Sequence, residues 1–127
     1  MDQILLVGIG GFFGAISRFF ISKNATRFFG SFPTGTLIVN VVGSFILGFI
    51  YYSALESKMI TPEIRSLVGV GFIGAFTTMS TFSYESFRFF ELGNYQLFAI
   101  NFISNTLLCL LAIYFGKVLS LLVFKRI

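Results

Sequence analysis

The chain has 127 residues, 56% of them hydrophobic and 11% charged, with a mean hydropathy of +0.91. Soluble domains carry about 25% charged residues, so the composition excludes a soluble globular protein and points to one that sits in a bilayer. The absence of His removes the commonest metal ligand and general base, the single Cys excludes an intrachain disulfide, and a scattered net charge of +4 offers no basic run for nucleic acid.

A membrane-spanning helix needs about 20 apolar residues. Four stretches qualify: residues 4–21, 35–55, 64–90 and 95–124. The connections are short: 22–34 with Pro33, 56–63 with Pro62, and 91–94 around Gly93. The expected fold is all-α and integral to the membrane, one unit over residues 1–127 with both ends on one side. Met1-Asp-Gln lacks the positive region of a cleaved leader, so the first span is expected to be retained.

The first span holds Gly8, Gly10, Gly11 and Gly14, then Arg18. Gly10 and Gly14 have the small-xxx-small spacing of closely packed membrane helices. No strand precedes them and Phe13 stands where a dinucleotide fingerprint needs glycine. Arg18 lies well inside the span, where a charge is costly. It either snorkels to the interface, packs on a polar network, or makes a positive vestibule for an anion.

In the second span Asn40 stands among Val residues about two turns in. Its amide needs partners in hydrocarbon, as a bridge between helices or as a ligand. Gly43, Ser44 and Gly48 suggest close helix approach.

The third span meets Gly69, Gly71 and Gly74, then turns hydroxylic: Thr77, Thr78, Ser80, Thr81 and Ser83, with Phe76, Met79 and Phe82 between them and Glu85 at the end. This pattern predicts a helix broken near mid-membrane. Irregular backbone survives at that depth only when packed in protein or lining water, and broken helices present carbonyls and amides to ions. Glu85 is the only carboxylate placed inside a span.

The fourth span has Asn101, Asn105 and Cys109 at i, i+4 and i+8, along one helix face with Ser104 beside it. Such a stripe is either interhelical glue or pore lining. Set beside the hydroxyl run, the pore reading gains.

Lysines and arginines at span ends usually set orientation by an excess on one side. Here Lys58, Arg65, Lys125 and Arg126 on the face with the termini nearly balance Lys23, Arg27 and Arg88 on the other. Near balance permits insertion both ways, and with it an antiparallel homodimer. Without His, and with its acidic residues scattered, the chain has no nucleophile–base pair or paired carboxylates, so it is not expected to be an enzyme. The donors favour a small anion. Phe edges are positive and attract an anion weakly, as conduction requires, while carbonyls freed near Gly74–Thr77 suit a hard cation such as Na+.

Three segments resemble the signatures of the Fluc (CrcB) family of fluoride channels. They are Gly10-Gly-Phe-Phe-Gly-Ala-Ile-Ser-Arg18-Phe, Gly35-Thr-Leu-Ile-Val-Asn40-Val-Val-Gly43, and Gly71-Phe-Ile-Gly74-Ala-Phe-Thr77-Thr-Met-Ser-Thr-Phe82-Ser-Tyr-Glu85. The resemblance implies a dual-topology, antiparallel homodimer in a bacterial plasma or inner membrane, passing fluoride out of the cell. It implies that Asn40 coordinates fluoride, that Phe82 is the second ring of an aromatic pair, and that Ser80, Thr81 and Ser83 form a hydroxyl track. Asn101, Asn105 and Cys109 correspond to polar positions of the fourth helix, Arg18 to a vestibule cation and Glu85 to the acid after the track. Main-chain carbonyls of Gly74 and Thr77, from two copies, would enclose a central structural Na+. Met79 stands where the family usually has its first ring and is expected to line the path as a packing residue. The competing reading is a small dual-topology multidrug exporter, which needs an acid in the first span, where this chain has only Arg18. A third is a subunit that packs helices with no pathway.

Overall fold

The computed structural model describes residues 2–30, 32–57 and 59–124, without the side chains of Thr26, Phe28 and Phe29. Lys58, Lys125 and Arg126 of the charge balance lie outside these residues. Helix α1 covers Gln3–Phe29 and starts at Asp2, whose carboxylate accepts the Ile4 N–H at 3.1 Å and satisfies one of the orphan amides of a helix start. The connection expected from residue 22 is therefore mostly helix. Apolarity marks what a bilayer can hold, whereas residues 22–29 contain no Gly or Pro to stop the winding.

Helix α2 covers Thr34–Glu56 and follows Pro33. The third stretch, Pro62–Glu91, is composite. A short α3 (Pro62–Ile64) is capped by Thr61, passes into a π-helical stretch Arg65–Ile73, and returns to α winding in α4 (Gly74–Phe76). Thr77 (φ −81°, ψ 159°) and Thr78 (φ −151°, ψ 112°) are extended, and α5 (Met79–Glu91) begins after them. Gly93 at φ 70° turns the chain, and Asn94 Oδ1 accepts the Leu97 N–H at 3.2 Å to start α6 (Tyr95–Phe124). All four stretches are long and apolar enough to cross a membrane.

Two seams of parallel helices organise the packing. On α2 and α6, Asn40 meets Asn105 and Ser53 meets Ser120, so residue numbers rise together. On α1 and the third stretch, Gly10 faces the Leu67 carbonyl and Arg18 reaches the Ala75 carbonyl. Bare glycine surfaces let these backbones meet. A Cβ at Gly10 or Gly14 would collide with backbone of Leu67 or Phe72, and one at Gly48 or Gly116 with backbone of the facing helix.

The interior is unusually polar. Thr36, Asn40, Ser53, Thr78, Ser86, Asn101, Asn105 and Ser120 are buried, while Phe12, Phe13, Leu55, Phe115 and many other large apolar side chains lie exposed. That inversion suits lipid, because hydrocarbon gives apolar side chains no reason to hide and polar ones every reason to pair.

Candidate functional site

The site is built outward from Thr77 and Thr78. Thr77 keeps its own peptide and hydroxyl on the Ile73 carbonyl, both at 3.0 Å. Thr78 is the N-cap of α5: its Oγ1 accepts the Thr81 N–H at 3.2 Å and donates to Thr81 Oγ1 at 3.0 Å. A hydroxyl residue is favoured there because it replaces the missing turn. Its backbone N–H, which in a continuous helix would bond the Gly74 carbonyl, turns instead to Asn40 Oδ1 at 2.8 Å. Likewise the Thr81 N–H is diverted from the Thr77 carbonyl to the Thr78 hydroxyl. The carbonyls of Gly74 and Thr77 therefore lose their helical donors, and that of Ala75 accepts from Arg18 Nε at 3.0 Å.

Asn40 clasps this interruption from α2. Besides accepting the Thr78 N–H, its Nδ2 donates to the Thr78 carbonyl at 3.2 Å and to Asn105 Oδ1 at 3.1 Å. Asn105 Nδ2 in turn donates to Oδ1 and the carbonyl of Asn101, at 3.1 and 3.2 Å, and Asn101 Nδ2 donates to Ser86 Oγ at 3.0 Å. All four side chains in this chain are buried, where an unpaired amide would cost about 1–3 kcal/mol.

A cavity of about 420 Å³ opens against Asn40, Asn105, Phe82, Met79, Thr78 and Cys109. Phe82 is buried, and its ring lies 5.9 Å from that of Phe102, which also lines the cavity. Met79 is 70% exposed on the open side. A second cavity, about 380 Å³, borders Thr78 and Thr81 and is walled by Arg18, Ser22 and Lys23. Thr78 thus stands between an amide-and-ring cavity and a positively charged one.

The structure brings Asn40, Phe82, Met79, Asn105, Cys109 and Thr77 to the first cavity, and Arg18 and Thr81 to the second. Asn101 lines neither; it is fully buried behind Asn105. Ser80 Oγ lies 3.2 Å from the Thr78 hydroxyl, but Ser83 is exposed on the outer side of α5. The hydroxyl run does not form one stripe because helical residues turn about 100° each, so positions 80, 81 and 83 fan around the axis. Glu85 accepts from Thr36 Oγ1 at 2.8 Å, and its Oε2 is buried without a partner among the described residues. Gly74 is exposed, with nothing near where a Cβ would stand.

Sequence reasoning missed Phe102, Ser44 and Thr106 as cavity residues and Ser86 as the end of the amide chain. Ser44 carried a signal, since it lies one turn beyond Asn40. Phe102 carried none among so many Phe residues.

The family model for CrcB-like protein, Camphor Resistance (CrcB), matches residues 5–117. The chain is 49% identical over 121 residues to the fluoride-specific ion channel FluC of Methanococcus maripaludis, covering 95% of this chain and 98% of that protein. It is 45% identical over 121 residues to the fluoride-specific ion channel FluC 1 of Methanosarcina acetivorans, covering 95% and 92%. It is also 45% identical over 120 residues to the fluoride-specific ion channel FluC of Campylobacter jejuni, covering 94% and 98%.

Proposed function

The chain belongs to the CrcB-like family, and we propose on that footing that it is a passive, fluoride-selective channel of a multi-pass membrane protein type, and no enzyme. The observation that carries the reading is the cavity at Thr77–Thr78, where Asn40 and Phe82 converge on interrupted backbone. The relatives' names as fluoride-specific ion channels favour it over the exporter, and α1 presents no acid among its residues.

On this reading the break lies near mid-membrane. Arg18 and Lys23 draw the anion toward Thr78 from one side. Amide and hydroxyl donors and the positive edge of Phe82 then replace parts of its water shell, each weakly enough to let it leave. Met79 packs along the path, Cys109 borders it, and Asn105 and Asn101 support Asn40. Glu85 stands beyond the hydroxyls of α5 as an acid tied to Thr36.

The working unit is an antiparallel homodimer of dual topology. The open side of the cavity at Met79 and the exposed, unobstructed Gly74 suit cover by a second copy. A structural Na+ fits the donors at hand: the Gly74 and Thr77 carbonyls have lost their helical partners, and hard cations take oxygen ligands. Na+ would supply a fixed positive centre that holds the two interrupted segments together. The cell membrane of a microbe is the expected location, with fluoride leaving the cell down its gradient.

The test is efflux from liposomes. Reconstituted protein is expected to release fluoride with no proton or drug gradient, and to release chloride far more slowly. Chloride release at an equal rate would remove the selectivity, and no release of either would remove the channel.

A further inference from the structure

The orientation of each amide in the buried chain follows from its neighbour, beginning at the backbone. The Thr78 N–H can only donate and its carbonyl only accept, so Asn40 must turn Oδ1 to the one and Nδ2 to the other. The second hydrogen on Asn40 Nδ2 then requires an acceptor, so Asn105 faces it with Oδ1. Asn105 is held in that pose from behind, because both its N–H groups are given to Asn101. Asn101 can therefore offer only its own Nδ2 onward, to Ser86.

Both hydrogens on the Asn40 amide are thus occupied, and nothing on it is free to greet an anion. Of its bonds, the reciprocal pair with Thr78 cannot be given up without stranding the buried Thr78 N–H. The bond to Asn105 is single, and Asn105 borders the cavity.

Resting on the fluoride-channel reading, we infer that Asn105 Oδ1 is a built-in competitor for the ion: each anion reaches Asn40 by displacing it. Asn105 is then a specificity-determining residue, and Asn101 the positioning residue that holds it. A neutral amide oxygen is a moderate acceptor. Fluoride, small and strongly accepting, displaces it, whereas chloride, a weaker acceptor, does not. The competitor also weakens fluoride binding, and weak binding is what throughput requires.

The test is an Asn105→Ala channel. Removing one neutral acceptor is expected to tighten fluoride binding about fivefold, read as the concentration that half-saturates liposome efflux and half-shifts the Asn40 side-chain amide resonance in detergent. Chloride efflux is expected to rise. Asn101→Ala, which leaves Asn105 one anchor on the backbone carbonyl, is expected to move both readouts the same way by less, and it decides the matter if Asn105→Ala does not fold. Unchanged or weaker fluoride saturation, with the unaltered protein still passing fluoride, would overturn the inference alone. An unaltered protein that neither passes fluoride nor shifts the Asn40 resonance would overturn the channel reading itself.

Discussion

The seam between α2 and α6 carries two buried polar pairs that differ in one respect. Ser53 and Ser120 are fully buried and bond each other at 3.0 Å, and neither lines the cavity at the interruption. Asn40 and Asn105 bond at 3.1 Å between the same helices, 53 − 40 = 13 residues or about 20 Å away along α2. This second pair is tied to extended backbone at Thr78 and borders a cavity of about 420 Å³. A polar pair between membrane helices is by itself glue. What adds chemistry at the Asn40 end is backbone that has left the helix and open space beside it.

Substitutions at the two ends should separate sharply. The largest effect is expected at Asn40→Leu, which strands the Thr78 N–H and Asn105 Oδ1 together. At about 1–3 kcal/mol for each buried orphan, fluoride efflux should fall by about 100-fold, and the unfolding temperature in detergent should fall too. The smallest is expected at the far end. A double-mutant cycle on Ser53→Ala and Ser120→Ala should give a coupling of about 0.6 kcal/mol, as for other interhelical bonds in membranes, with efflux unchanged. Efflux falling equally at both ends would erase the distinction and return the seam to packing alone.

The same contrast explains how much was legible in the sequence. The four spans follow from apolar length, and the fourth starts where expected because Gly93 turns the chain just before it. Asn40 and Asn105 stand out as amides in apolar helices. The interruption at Thr77–Thr78 is announced by glycines followed by hydroxyl residues. The π-helical Arg65–Ile73 stretch is not announced, because its wider winding accompanies backbone contact with Gly10 and Gly14 of another helix. Asn101 reads as pore lining because it shares a face with Asn105, yet a helix face has a front and a back, and only neighbouring helices decide which residue stands behind. Ser83 reads as part of a track because it is close in sequence, but the turn of α5 carries it outward.

On the channel reading proposed above, an anion meets the amide of Asn40 beside the interrupted third stretch. Dipolar coupling between bound 19F and a 15N label on the Asn40 side chain, in fluoride-loaded liposomes, tests it most directly. A coupling that corresponds to about 3 Å, hydrogen-bond range, is expected. Fluoride efflux from the same liposomes with no such coupling at Asn40 would contradict it.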